Sequence, residues 1–294
     1  MLPTADDHSM AKDREKLQTL TDAGQSGDPQ NPDSRDFVLR VDGLGITFPS
    51  DQGEKEVIHG LSFTVSRSEF VCIVGPSGTG KTTLIRCISG LMRPTVGSVH
   101  LHDKVISDPP ASLALVSQDY SRSLMPWLRV EDNVLLPLRG KHIAKSEMRE
   151  RADAALAAVG LSAAGKSYPW QLSGGMQQRV SIARSLAYRP EVLVMDEPFA
   201  SVDAQTRSEL EDLVLSLQRT TGITVVLVTH DVEESVYLAD RVIVLGGSPA
   251  QIQREIPIDL GHDRDQIETK SRPEFIAHRV EVLKSIAAAR GANS

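Results

Sequence analysis

Cysteine is nearly missing from this chain: two of 294 residues, Cys72 and Cys87. Both fall inside apolar segments and outside any Cys-x-x-Cys or Cys/His cluster, so two small buried thiols are expected. The eight histidines show no ligand-like spacing, which leaves no pattern for a structural metal site. An excess of positive charge is also lacking. Lys and Arg number 32 against 39 Asp and Glu, a formal net charge of -7. This balance argues against a nucleic-acid groove or a polybasic membrane patch as the main working surface. No apolar run reaches the roughly eighteen residues of a bilayer-spanning helix. The opening "MLPTADDHSMAKDREKLQTL" has no apolar core of the secretory-leader kind, so the expected location is the cytoplasm. Residues 1–36 are polar and without sustained periodicity, and they are expected to form a disordered tail.

What is present has the composition of a globular protein, with 40% hydrophobic and 24% charged residues. From Phe37 to about Ile106, short segments alternate apolar and polar residues: "FVLRV", "LSFTV", "SVHLH". Alternation of that kind predicts half-buried antiparallel strands. Other segments are continuously apolar: "FVCIVG", "SLALVSQ", "EVLVMDE", "TVVLVTH" and "RVIVLGG". Strands buried on both faces belong to a parallel sheet covered by helices. Between Asp119 and Arg189 the pattern turns helical. In "SEMRERADAALAAVG", Ser146 is expected as the N-cap and Gly160 as the stop, with Met148, Ala152, Ala155, Leu156 and Val159 on one stripe. After Gly247 the chain is expected to loosen before one amphipathic closing helix, "RPEFIAHRVEVLKSIAAA".

Two stretches look built for anions. "GPSGTGKTT", Gly75–Thr83, follows an apolar strand, opens a helix and fits the GxxxxGK[ST] phosphate loop. Among its residues Gly75, Pro76, Ser77, Gly78, Thr79 and Gly80, the glycines let consecutive backbone N–H groups curl round phosphates. Lys81 reaches toward the β and γ phosphates, and Thr82, followed by Thr83, offers a hydroxyl to Mg²⁺. "PWQLSGGMQQRVSIARSLA" starts a second helix behind Ser173, Gly174 and Gly175, where uncapped N–H groups and the dipole again favour an anion. "VLVMDEP" ends a buried strand with Asp196, suited to a Mg²⁺ shell, and Glu197, suited to orienting and deprotonating a water. His230 ends another such strand, and Gln118 closes "SLALVSQ".

The ordered set "GPSGTGKTT", "SQD", "LSGGMQQR", "VLVMDEP", "SVDA" and "VTHD" resembles the nucleotide-binding subunit of ATP-binding cassette transporters, over roughly residues 37–247. The resemblance implies an α/β fold: a P-loop NTPase cassette with a mainly parallel core sheet, an antiparallel β subdomain and a helical insert at about 119–189. Residues 248–294 would then be a C-terminal extension. It implies ATP and Mg²⁺ as ligands and a head-to-tail homodimer in which each signature helix caps the ATP on the partner's phosphate loop. Ser173 and Gly175 then look like cross-subunit γ-phosphate contacts. Asp203 resembles the loop residue joining the two sites, Phe48 the aromatic that stacks on adenine, and His230 the γ-phosphate histidine.

A finer resemblance lies in "SQDYSRSLMPWLRVEDNVLLPL" and "IPIDLGHDRDQ", which look like the importer branch for nitrate, taurine and alkanesulfonates. It implies integral membrane permease subunits, a separate solute-binding protein, no nucleic acid, and a peripheral place on the cytoplasmic face of the cell membrane. The sequence departs from the family at Ser117, Arg129, Met176 and in "SVDA", none of which removes a catalytic group. The other classes are a soluble cassette ATPase acting on nucleic acid or ribosomes, and the ATPase subunit of an exporter. The first usually carries long coiled coils or two cassettes, and each motif here occurs once. Trp127 and Leu128 are expected either to face the permease or to pack within the helical insert.

Overall fold

The computed structural model describes residues 37–51, 53–119 and 123–291. The tail expected at 1–36 and Tyr120, Ser121 and Arg122 of "SQDYSRSLMPWLRVEDNVLLPL" lie outside the described residues. The described chain divides into two compact units, one of residues 37–115, 192–197 and 224–291, the other of Val116–Glu191 and Pro198–Ile223.

The first unit contains an antiparallel sheet of β1 (Phe37–Ser50), β2 (Gly53–Ser66), β4 (Val96–Leu101) and β5 (Lys104–Val105), in the order β2-β1-β4-β5. Leu39 and Val41 are buried while Arg40 and Asp42 are exposed, which is the alternation the sequence predicts. A six-stranded sheet is formed by β3 (Phe70–Val74), β6 (Leu113–Val116), β7 (Val192–Asp196), β8 (Thr224–Val228), β9 (Arg241–Gly246) and β10 (Gln251–Pro257). Its order is β10-β9-β3-β8-β7-β6. β3 pairs in parallel with β8 and β9, and β7 with β8. Every residue of β3 and β8 is buried, which is why these segments read as unbroken apolar runs.

Helices α1 (Lys81–Ile88), α6 (Val232–Leu238), α7 (Glu268–Ser271) and α8 (Pro273–Gly291) complete the first unit. The loosening expected after Gly247 is instead β10, antiparallel to β9. Its polar sequence hides it: only Ile256 of the strand is fully buried. α8 buries Phe275, Val282 and Ala289, seven residues apart, and lies against β9, β10 and α6. Ala289 meets bare backbone at Gly246, where a Cβ would come within 2.3 Å of its own methyl.

The second unit holds α2 (Val130–Leu135), α3 (Lys145–Ala158), α4 (Gly174–Ala187) and α5 (Ala204–Thr221). α3 starts earlier than its sequence suggests. Ala144 is the N-cap, and its carbonyl accepts the first helical bond from Met148 N at 3.0 Å, so Ser146 sits inside the first turn and caps nothing. The stop is where expected: Gly160 has φ 73°, Gly160 N bonds Ala157 O and Leu161 N bonds Leu156 O. Ala152, Ala155, Leu156 and Val159 are buried and Met148 is half-buried.

Candidate active site

β3 ends in the loop that opens α1. Gly75 belongs there because a Cβ would lie 2.6 Å from the Leu245 carbonyl oxygen of β9. Gly80 occupies the N-cap with φ 77° and supplies no side-chain cap. The first N–H groups of α1 therefore have no side-chain acceptor in the cap position, the condition under which a helix start takes an anion. Lys81 is folded back on this loop, its Nζ donating to Gly75 O at 2.9 Å and Pro76 O at 3.0 Å. Burial lowers its pKa, and the nearby carboxylates Glu197 and Asp196 oppose that shift. Ser77 and Gly78 are exposed, whereas Thr79 is buried and donates its hydroxyl to Pro76 O at 2.8 Å.

At the end of β7, burial and the neighbouring Glu197 hold the Asp196 carboxyl above its ordinary pKa, against a hydrogen bond from the Thr82 side chain and the charges of Lys81 and Arg86. A desolvated carboxylate paired with a hydroxyl beside the phosphate loop is a donor set of hard oxygens, which suits Mg²⁺. Glu197 follows with φ 43°, its N–H bonded to Val228 O at 2.8 Å, and its Oε2 lies 3.1 Å from His230 Nδ1. Asp196, Glu197, Lys81, Thr82 and His230 are thus brought together in one unit. Phe48, 38% exposed, lies on β1 opposite Lys55 of β2. The same strand supplies Val57 and Ile58, which touch the position of a Cβ on Gly80.

The remaining sequence-predicted residues lie in the second unit. Gln118 is exposed, just beyond β6. Ser173 is the N-cap of α4, its hydroxyl accepting from Met176 N at 3.3 Å. Ser173 is exposed, Gly174 half-buried and Gly175 buried. A Cβ at Gly175 would fall 2.2 Å from Thr206 Cγ2, so this glycine is also a packing residue against α5. Asp203 caps α5, accepting from Thr206 N at 3.0 Å and from the Thr206 hydroxyl at 2.7 Å. The start of α4, capped by Ser173 rather than uncapped as the sequence suggests, and Asp203 are therefore joined through Thr206.

Trp127 is 71% exposed, which removes the reading that packs it inside the helical region. Its loop is pinned by Asn133, fully buried, whose Oδ1 accepts from Met125 N at 2.7 Å. The Asn133 amide nitrogen lies 3.1 Å from each of Met125 O, Leu128 O and Arg129 O. Close by, the Arg129 guanidinium lies 6.0 Å from the Tyr168 ring centre, and Tyr168 stacks on Trp170 at 5.9 Å. Trp170 is 70% exposed. Sequence reading missed Asn133, Tyr168 and Trp170. The one available signal was a second Trp beside an aromatic, ahead of the "LSGG" segment.

Comparison with known proteins gives the same answer. The profile of a family described as ABC transporter matches residues 58–200. The chain is 40% identical over 250 residues to the nitrate import ATP-binding protein NrtD of Synechococcus elongatus, covering 83% of this chain and 90% of that one. It is 40% identical over 234 residues to the bicarbonate transport ATP-binding protein CmpD of Synechocystis, covering 78% and 82%. With the taurine import ATP-binding protein TauB of Escherichia coli K12 it shares 39% over 241 residues, covering 81% and 94%. Among solved structures, the dimeric ATP-binding cassette MJ0796 bound to ADP and Pi superposes with a TM-score of 0.65 at 30% identity, over 75% of this chain and 98% of that one. CbiO1 of Clostridium perfringens, part of the cbiONQ transporter complex, gives 0.69 at 26% identity over 87% and 99%.

Proposed function

Because the chain belongs to the ABC transporter family, whose ATP-binding subunits hydrolyse ATP to power transport, we propose that it drives import of a small anion through separate membrane permease subunits. It acts as a head-to-tail homodimer on the cytoplasmic face of the membrane. The substrate class follows its relatives, named for nitrate, bicarbonate and taurine, which are small solutes with an oxyanion or sulfonate group. A solute-binding protein delivers the solute to the permease, and nucleic acid plays no part.

The observation that carries the hydrolytic reading is the division of labour between two adjacent carboxylates: Asp196 bonded to Thr82, and Glu197 held by His230 at 3.1 Å. Backbone N–H groups of Gly75–Thr83 hold the β and γ phosphates, and Lys81 exchanges its loop carbonyls for a phosphate oxygen. Thr82 and Asp196 would hold Mg²⁺, which when bound would supply charge neutralisation at the transferring phosphoryl group. Gln118 would offer its side-chain carbonyl oxygen to the metal or its water. Glu197 accepts the proton of the attacking water, and His230 fixes Glu197 and contacts the γ phosphate. Phe48 stacks on adenine. Ser173, Gly174 and Gly175 of one copy cap the nucleotide on the other, and Asp203 couples the two sites.

The test is a crosslink. Thr79 is too buried to serve, so cysteines are placed at exposed Ser77 and Ser173 in a Glu197→Gln background that prolongs the closed dimer. The native thiols are buried, and burial raises the Cys87 pKa to about 11, so both stay silent under mild oxidant. With ATP the chain should run as a covalent dimer on a non-reducing gel, and without nucleotide as a monomer. Peptide mapping that places the crosslink within one chain overturns the shared site. The importer reading is checked separately, by reconstituting the subunit with its copurifying permease and measuring the direction of anion movement in vesicles.

A further inference from the structure

The chain beyond β10 is used by none of the roles above, yet it holds α6, the helix that begins just after His230. We infer that Arg264 and Arg279 are positioning residues for hydrolysis, gripping the two ends of α6 and so holding His230 against Glu197. The inference rests on the role proposed for His230.

α6 spans seven residues, too few for a helix to keep its place by its own hydrogen bonds. Its first turn is capped by Asp231, whose Oδ1 accepts from Glu233 N at 2.9 Å and Glu234 N at 3.2 Å. Glu233 is in turn ion-paired with Arg279 of α8. At the other end, the Arg264 Nη1 donates to Tyr237 O, in the last turn of the helix, at 2.8 Å and to Ala239 O, just beyond it, at 2.9 Å. A cation at this end also complements the helix dipole.

The grip extends in both directions. Arg264 Nε donates to Gly261 O at 3.0 Å, and its side chain is 4% exposed. Its Nη2 lies 3.6 Å from Asp240 Oδ1, while Asp240 Oδ2 accepts from Phe70 N at 2.8 Å, at the start of the strand that leads into the phosphate loop. The segment carrying Arg264 is itself fixed, since Asp265 Oδ1 accepts from Ile267 N and Glu268 N, and Asp265 N donates to Thr269 Oγ1. The Lys270 ammonium sits 4.9 Å from the Tyr237 ring centre. A guanidinium that is always charged and almost wholly buried is costly unless its donors are matched, and here Gly261 O, Tyr237 O, Ala239 O and the Asp240 carboxylate surround it at the end of the short helix. The consequence reaches His230 because it lies one residue ahead of the Asp231 cap. Displacing a catalytic group by about 1 Å can cost on the order of 100-fold in rate.

Steady-state ATP hydrolysis by the full chain is measured for Arg264→Ala, Arg264→Lys, His230→Ala and the double variant His230→Ala/Arg264→Ala. Arg264→Ala should lower kcat about 10-fold or more at unchanged KM for ATP. Arg264→Lys, whose ammonium reaches one carbonyl, should recover most of the loss. In the His230→Ala background, removing Arg264 should cost nothing further. Independent losses that multiply in the double variant, with cooperative thermal unfolding retained, overturn the inference. Full turnover in His230→Ala instead overturns the role of His230 and takes the inference with it. If Arg264→Ala fails to fold, the surface pair at the other end serves: Arg279→Ala and Glu233→Gln should lower kcat and lose that effect in the His230→Ala background. Unchanged kcat in both overturns the inference.

Discussion

Glu197 sits at φ 43°, a left-handed conformation that costs a side-chain-bearing residue about 1–2 kcal/mol. The strain is tolerated because its N–H is fixed to Val228 O and its carboxylate to His230. Two substitutions separate conformation from chemistry. Glu197→Gln should retain ATP while turnover falls by about 10²–10⁴, the usual loss of a general base. Glu197→Gly should lose turnover as well, yet melt no lower than the parent, because glycine adopts this φ without strain. Near-normal turnover in Glu197→Gln removes the residue from the role of base. The acids were legible in the sequence because two carboxylates ending a buried strand have few structural uses. Asn133 and Arg264 were not, because their partners are mostly backbone groups, which leave no mark in a side-chain pattern.

At the scale of elements, the start of α4 serves two purposes that the sequence merges into one. "SGG" reads as an anion site, but Gly175 is also required by Thr206, whose Cγ2 would be 2.2 Å from an added Cβ. Gly175→Ala should therefore destabilise the chain by about 1–3 kcal/mol in urea unfolding, the cost of overpacking a close contact. Adding Thr206→Ser removes the clashing methyl, keeps the hydroxyl on Asp203, and should restore most of the stability. No rescue would mean that the contact between α4 and α5 is not what demands the glycine. Strands buried on both faces, such as β3 and β8, were legible as apolar runs. β10 was not: it borders a single neighbour, β9, and buries one residue fully, so it looks like a loop. Ser146 misled for a related reason, since Ala144 reaches the extended backbone of a cap without a capping side chain.

For the molecule as a whole, Trp127 and Trp170 are both exposed on the unit that also carries Ser173. For the proposed importer we place the permease contact at Trp127, since exposed aromatics are enriched at interfaces. Trp127→Ala should fold normally and hydrolyse ATP as the detached subunit, while anion uptake by reconstituted vesicles falls several-fold. Uptake equal to the parent's would place the permease elsewhere. The order of the parallel sheet also dictates an order of events during synthesis. β3 lies between β8 and β9, with Phe70 opposite Val225 and Val71 opposite Arg241. At roughly 5–20 residues per second, the ribosome takes about ten to thirty seconds to supply those neighbours. Throughout that interval an apolar strand waits without partners, exposed to aggregation, and the phosphate loop has nothing behind it. A fragment ending at residue 223 already contains Lys81, Thr82, Asp196, Glu197 and Ser173, yet it should fail to retain a fluorescent ATP analogue that the full chain holds. Nucleotide binding is in this sense a late event in the life of the chain, conferred on an early motif by strands made near its end.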